Sequence, residues 1–249
     1  MKKYNLENIK LKYLDFSDNK DKTLFKKAMK VFLEIFPEDC YYIGTMKKML
    51  YKTLKPANTK FRIFVAIDTD TQQVIGVAIY RHWTDINIST LEYIMAKLNL
   101  RGSGIGTIMY KFLQQELIAL KSKGLIFSCA GDTDLYKYDM EKMWRIINVK
   151  RAKFYERYGA RPLTGINYQS PMYWSHPEGR YCFPNLCFDP LNTEASGISS
   201  EIIKIIVKRI MASYYNTPAT NKNVQRILAS IKTEYLEMRK PKYIKNEKN

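Results

Sequence analysis

The chain has 249 residues, 46% hydrophobic and 26% charged, an ordinary globular composition with length enough for one sizeable core. Its 41 Lys and Arg against 24 Asp and Glu give a formal net charge of +17, which points to an acidic partner such as nucleic acid, an anionic membrane or a polyphosphate cofactor. The lysines are scattered through every segment, and no nucleic-acid module is recognisable, so nucleic acid is not expected as a partner. Four cysteines, Cys40, Cys129, Cys182 and Cys187, are too few for a disulfide framework, and with His176 they lack the spacing of a zinc knuckle; no metal is expected. The N-terminal MKKYNLENIKLKY holds no apolar run of a signal peptide and no later stretch reaches spanning length, so the expectation is a cytoplasmic protein without membrane insertion.

In chain order, Ile9 to Phe16 alternates as a first strand, and Ser17-Asp18-Asn19 forms a turn and helix cap. Leu24 to Phe36 places Leu24, Phe25, Met29, Phe32, Leu33 and Phe36 on one side of a helix that Pro37 ends. Glu38 and Asp39 then suit the first turn of a second helix, running to about Leu54. Phe61 to Ile67 and Val74 to Trp83 are β-rich runs joined by the hairpin loop 68–73, with Gly76 marking a bulge or a close contact. Ile88 to Lys97 completes a meander, Thr107 to Leu120 is a helix, and Leu125 to Ala130 is a short buried strand, parallel to its predecessor because a helix lies between them. Asp134 to Tyr158 reads as helix, with Gly159 as its stop. Ala160 to Leu163, Thr164 to Tyr168 and Asn185 to Leu191 supply the last strands. Past Asn192 the composition shifts to two amphipathic helices, Ile198 to Tyr215 and Asn221 to Met238, and a basic tail, 239–249. The expected division is therefore 1–192 and a C-terminal helical extension, 193–249; the two helices cap the core or form a homodimer interface, and nothing in the residues separates those readings.

The informative stretch is Ser89 to Leu113, which reads strand, glycine turn, helix. Bare backbone at Arg101-Gly102-Ser103-Gly104-Ile105-Gly106, opening a helix, is suited to an anion: the first helical N–H groups lack partners, and glycines admit a phosphate. A dinucleotide fold wants G-x-G-x-x-G, whereas the spacing here is G-x-G-x-G. A nucleotide P-loop wants Gly-Lys-Ser/Thr, and Ile105-Gly106-Thr107 lacks the lysine. A tight turn without ligand remains a third reading of the spacing alone.

LEYIMAKLNLRGSGIGTIMYKFL resembles the central motif of the Gcn5-related N-acetyltransferase (GNAT) superfamily, Arg/Gln-x-x-Gly-x-Gly/Ala, with Arg101, Gly104 and Gly106 in its positions. A second block, NVKRAKFYERYGA from Asn148 to Ala160, is similar to that family's N-x-x-A-x-x-F-Y-E-x-x-G-F, with Arg151 where alanine is usual and Ala160 where phenylalanine is common. The resemblance implies an α/β (α+β) fold: a mixed, mostly antiparallel central sheet flanked by helices, with strands 91–97 and 125–130 parallel and splayed. It implies acetyl-CoA as cosubstrate. The pantetheine arm would pair with the backbone of Ile94, Met95 and Ala96, and the pyrophosphate would lie on Arg101, Gly102, Ser103, Gly104, Ile105, Gly106 and Thr107. Asn148 is implicated by its position relative to Tyr155. The helices between 24 and 54 and the segment 165–182 would form the acceptor groove, where Tyr41, Tyr42 and Met46 line a pocket or simply pack.

Acetyl transfer to an amine needs a held thioester, a neutral amine and a proton for the leaving thiolate. Tyr155 is the expected general acid, since a phenol with a pKa of about 10 carries its proton at neutral pH. Glu92 is the expected general base, directly or through water, because a lone carboxylate in an apolar strand needs an explanation; a strand-end residue facing solvent or pairing with Lys or Arg is the alternative. The expected activity is direct, ternary-complex transfer from acetyl-CoA to an amine acceptor. The competing readings are a non-catalytic coenzyme A-binding protein and a basic scaffold.

Overall fold

The computed structural model describes residues 6–129, 142–171, 181–182, 184–191 and 193–240. The chain divides into two compact units, Met1–Lys123 and Gly124–Asn249.

In the first unit four strands, β1 (Ile9–Tyr13), β2 (Thr59–Asp68), β3 (Gln73–Trp83) and β4 (Ile88–Ala96), pair antiparallel in chain order. Three helices accompany them, α1 (Asn19–Leu33), α2 (Tyr42–Leu50) and α3 (Ile105–Ala119). The β2 side chains alternate between two buried layers. Ile63, Val65 and Ile67 join Phe25, Met29, Phe32 and Met46 of α1 and α2, while Phe64 faces Phe112 of α3 with ring centroids 5.1 Å apart. A sheet covered on both faces explains why Ile63–Asp68 and Val74–Trp83 read as nearly continuous apolar runs rather than alternating ones. Gly76 is both things expected of it. The register steps from Ala66↔Gly76 to Ile67↔Val74, and a Cβ on Gly76 would lie 2.5 Å from Met109 Sδ.

Several boundaries move. The first strand ends at Tyr13, not Phe16. Asp18 caps α1 as expected, its side chain accepting from the Lys20 N–H at 2.8 Å, so the helix starts at Asn19 and ends at Leu33. Pro37 opens a 3₁₀ turn, Pro37–Tyr41, that leads into α2; α2 stops at Leu50, where Lys52 turns to φ 58°. Glu38 and Asp39 therefore sit on a separate turn between two helices.

In the second unit β5 (Leu125–Cys129), α4 (Lys142–Arg157), β6 (Arg161–Pro162), the two-residue strands β7 (Ser170–Pro171) and β8 (Tyr181–Cys182), and β9 (Asn185–Asp189) are followed by β10 (Gly197–Ser199), α5 (Ser200–Tyr215), α6 (Lys222–Ser230) and β11 (Tyr235–Glu237). β9 is antiparallel to both β5 and β6, and Gly159 leaves α4 with φ 97°. The expected strand Thr164–Tyr168 is a loop, because Leu163 and Thr164 turn their backbones to the C-terminal segment: Thr164 N–H donates to Glu237 O at 2.8 Å and Leu163 bridges Met238. The helix expected over 221–238 ends at Ser230, whose hydroxyl donates to Ile227 O at 2.6 Å, and the chain continues as β11 on β10. The first part of the helix expected from Asp134, as well as Ala130, His176 and most of the basic tail, lies outside the described residues.

Candidate functional site

The glycine-rich turn is built in the first unit between β4 and α3. Leu98–Leu100 form a single 3₁₀ turn, Gly102 and Gly104 take φ of 80° and 97°, and α3 starts at Ile105 with Gly104 as its N-cap. These left-handed values are open to glycine and strained for residues with a Cβ. Gly104 has no side chain to cap the helix, and the Ser103 hydroxyl is spent on Leu100 O at 2.6 Å. The sharp turn thus presents the N-terminal N–H groups of Ile105, Gly106 and Thr107 with positive dipole potential, next to the exposed Arg101. This geometry fits an anion such as a pyrophosphate.

Ile94, Met95 and Ala96 lie on β4, paired with Ala78, Val77 and Gly76 of β3. One step earlier the ladder slips: Ile79 faces Tyr93 but Tyr80 faces Leu91, leaving Glu92 as the extra residue of a bulge. The Glu92 side chain is 1% exposed and that of Arg81 is 2% exposed. Arg81 Nε donates to Glu92 Oε1, the Tyr42 hydroxyl donates to Glu92 Oε2 at 2.6 Å, and Arg81 Nη2 donates to the Tyr42 oxygen at 2.5 Å. The guanidinium also lies 5.5 Å from the Phe61 ring centroid. The expected base is therefore closed into a ring of three groups, each of which satisfies the other two.

The neighbouring residue leads to a second carboxylate. Tyr93 donates its hydroxyl to Asp39 Oδ2 at 2.9 Å, and Tyr41 approaches Oδ1 at 3.5 Å. Tyr93 is packed by Phe32 and Phe36, with centroids 4.9 and 5.1 Å away. Burial, reinforced by the adjacent Asp39, pushes the Tyr93 phenol well above its usual value. Burial also raises the half-buried Asp39 carboxyl above the usual carboxylate range, with Glu38 adding to it and the Tyr93 hydrogen bond opposing it.

Tyr155 belongs to the second unit, on α4. It is 8% exposed and its ring lies 4.4 Å from that of Phe127 on β5. Burial pushes the phenol well above its usual value, while Arg151, one turn earlier, hydrogen-bonds it and pulls the other way. The arginine that departs from the resembled motif thus acts directly on the tyrosine the motif singles out. Asn148 lies on α4, and its side chain is outside the described residues.

Arg81 and the hydrogen bond of Asp39 to Tyr93 were missed in the sequence. The signal for Arg81 was present: it is the one arginine in the apolar run 74–83, one strand away from the lone carboxylate of the next apolar run. The second unit also holds a cavity of about 480 Å³ lined by residues 163–169, 184–186 and Arg239, part of which is the expected acceptor segment. Among the described residues no cluster suited to a metal ion occurs, and no helix is long and apolar enough to cross a membrane.

No family model and no curated protein matches the sequence. Solved structures do. A protein from Bacteroides thetaiotaomicron described as a GNAT-family acetyltransferase is 18% identical, with 84% of this chain and 99% of that chain covered at a TM-score of 0.55. An aminoglycoside 6'-N-acetyltransferase solved with coenzyme A is 14% identical, with 75% and 99% covered at 0.50. The likeness shows the fold: the chain has the GNAT fold, a mixed, mostly antiparallel α/β architecture with flanking helices.

Proposed function

We propose that the protein is an acetyl-CoA-dependent N-acetyltransferase of the cytoplasm that acts on a primary amine. The observation that carries this reading is the glycine-rich turn, in which two left-handed glycines open α3 with glycine at its N-cap, directly after a bulged strand. That turn suits a pyrophosphate, and the GNAT fold with solved neighbours described as acetyltransferases, one of them in complex with coenzyme A, supports the choice of ligand. In this reading Arg101 to Thr107 hold the diphosphate, the backbone of Ile94, Met95 and Ala96 lies along the pantetheine arm, and Asn148 contributes from α4.

The bound thioester supplies the acetyl group; the chain's residues orient it and move protons. A nitrogen–carbon bond forms as the carbon–sulfur bond breaks. The ammonium nitrogen loses two protons on its way to an amide, and the sulfur takes one, so one proton is released per turnover. Tyr155 is the proton donor for the sulfur, regaining its proton from solvent. Its raised proton affinity keeps it protonated at any physiological pH, at the cost of a weaker driving force for donation.

The first test is a thermal-shift titration with acetyl-CoA, using coenzyme A and NAD as comparisons. A saturable rise with the two coenzyme A species alone is expected, since a ligand that binds only the native state raises its stability. The second is Tyr155→Phe, which should lower kcat by roughly 100-fold while leaving coenzyme A affinity within about twofold. Unchanged turnover removes Tyr155 from the mechanism. Binding without transfer to any amine moves the protein to the non-catalytic class.

A further inference from the structure

Two carboxylates are tied to adjacent positions of β4, and their surroundings differ in kind. Glu92 is neutralised by Arg81 and enclosed by Tyr42. Asp39 has no cation partner among the described residues, although the chain holds 41 Lys and Arg against 24 acids. Its Oδ2 is fixed by the hydroxyl of Tyr93, the residue immediately before Ile94. Its Oδ1 has only the long 3.5 Å approach of Tyr41, a tyrosine that is 56% exposed. Asp39 is thus a half-buried carboxylate held to the strand proposed to carry the pantetheine arm, with one oxygen able to accept more.

Leaving such a carboxylate half-buried without a counter-ion is unfavourable, and a cation brought by a ligand removes the penalty. A carboxyl group with raised proton affinity is the better proton acceptor. Here that group is Asp39.

We propose that Asp39 binds the acceptor as a primary ammonium ion and takes its first proton, with Tyr41 against the acceptor's apolar stem, and that Glu92 holds the β4 bulge without meeting the amine. This rests on the acetyltransferase reading and assigns to it the residue that receives the amine. The Asp39 carboxylate becomes a carboxylic acid as the ammonium becomes an amine. The freed lone pair forms the nitrogen–carbon bond, and the carboxylic acid returns its proton to solvent.

The test uses the full chain with 1,4-diaminobutane, phenethylamine and a lysine-containing peptide, each against its hydroxyl counterpart. Asp39→Asn keeps an oxygen for the Tyr93 hydroxyl and so preserves the turn. It is expected to lower kcat/KM for the best amine by roughly 100-fold, with coenzyme A affinity within about twofold of wild type. Its melting temperature at pH 7 should be no lower than wild type, because the fold disfavours the charged form it removes. Tyr93→Phe, which frees the carboxylate, should raise KM for the amine more than it lowers kcat. Undiminished transfer by Asp39→Asn overturns the inference, and so does a joint fall in melting temperature and coenzyme A affinity. Failure of the acetyltransferase reading shows separately, as wild type that binds no coenzyme A or that binds it without transfer to any amine. Calorimetry with 1,4-diaminobutane alone then still decides, since Asp39→Asn must abolish whatever binding wild type shows.

Discussion

A carboxylate that accepts from a guanidinium on one oxygen and from a phenol on the other, with 1% of its side chain exposed, is held by charge and geometry together. Removing one partner of such a pair leaves the other charge buried and uncompensated, at a cost of about 3–5 kcal/mol. Glu92→Gln and Arg81→Met should each lose stability on that scale in urea denaturation, whereas the joint replacement Arg81→Met/Glu92→Leu should recover most of it. Single losses below about 1 kcal/mol would mean that the pair is exposed in solution. At this scale the sequence disclosed which residues were unusual but not what they touched. Glu92 stood out as a lone carboxylate in an apolar strand, and a base, a solvent-facing strand end and a salt bridge each explained it. The bulge, which carries Glu92 diagonally toward Arg81 across the ladder, is what brings the ion pair together. A one-residue slip in register leaves no trace in composition or periodicity.

Among the elements, those whose sequence fits one local period were legible, and those formed by distant pairing were not. The hairpin of β2 and β3, the cap at Asp18 and the glycine turn before α3 follow from local signals. The segment 231–238 misled because Ile231 continues the helical spacing of Val224 and Ile227, while its actual partner lies nearly forty residues earlier in β10. Gly197 marks that pairing: a Cβ there would lie 2.0 Å from Leu236 O. Gly197→Ala should therefore destabilise the second unit by about 1–3 kcal/mol, read as faster amide exchange in 197–199 and 235–237. Gly104→Ala acts differently. Its φ of 97° costs a residue with a Cβ roughly 1–2 kcal/mol, and the new methyl would meet Leu6 at 3.2 Å. This variant should weaken coenzyme A binding more than it lowers stability; the reverse order would make the turn a structural loop only.

Over the whole molecule, burial sets the pH range in which the fold persists, and its two limits come from different residues. His82, 5% exposed and hydrogen-bonded through Nδ1 to Ser89 at 3.0 Å, has its pKa pushed below 6.5 by burial, with Lys60 adding to it. Below pH 6.5 the unfolded chain binds a proton that the folded chain refuses, so stability is full above that value and falls as pH drops toward the folded-state pKa. The alkaline limit belongs to Tyr13, Tyr80, Tyr93 and Tyr155, all raised above 10.0 chiefly by burial. Above pH 10 the unfolded chain loses phenolic protons that the folded chain keeps. Stability is therefore full below the unfolded value and is lost as pH rises through it. Neither group titrates near neutrality, so melting temperature should be flat between about pH 7 and 9 and decline on both sides. His82→Asn should flatten the acid decline alone. Phenolate absorbance should show a set of tyrosines that ionise only with unfolding. If all 19 tyrosines titrate together while the protein stays folded, burial is not what holds those four protons.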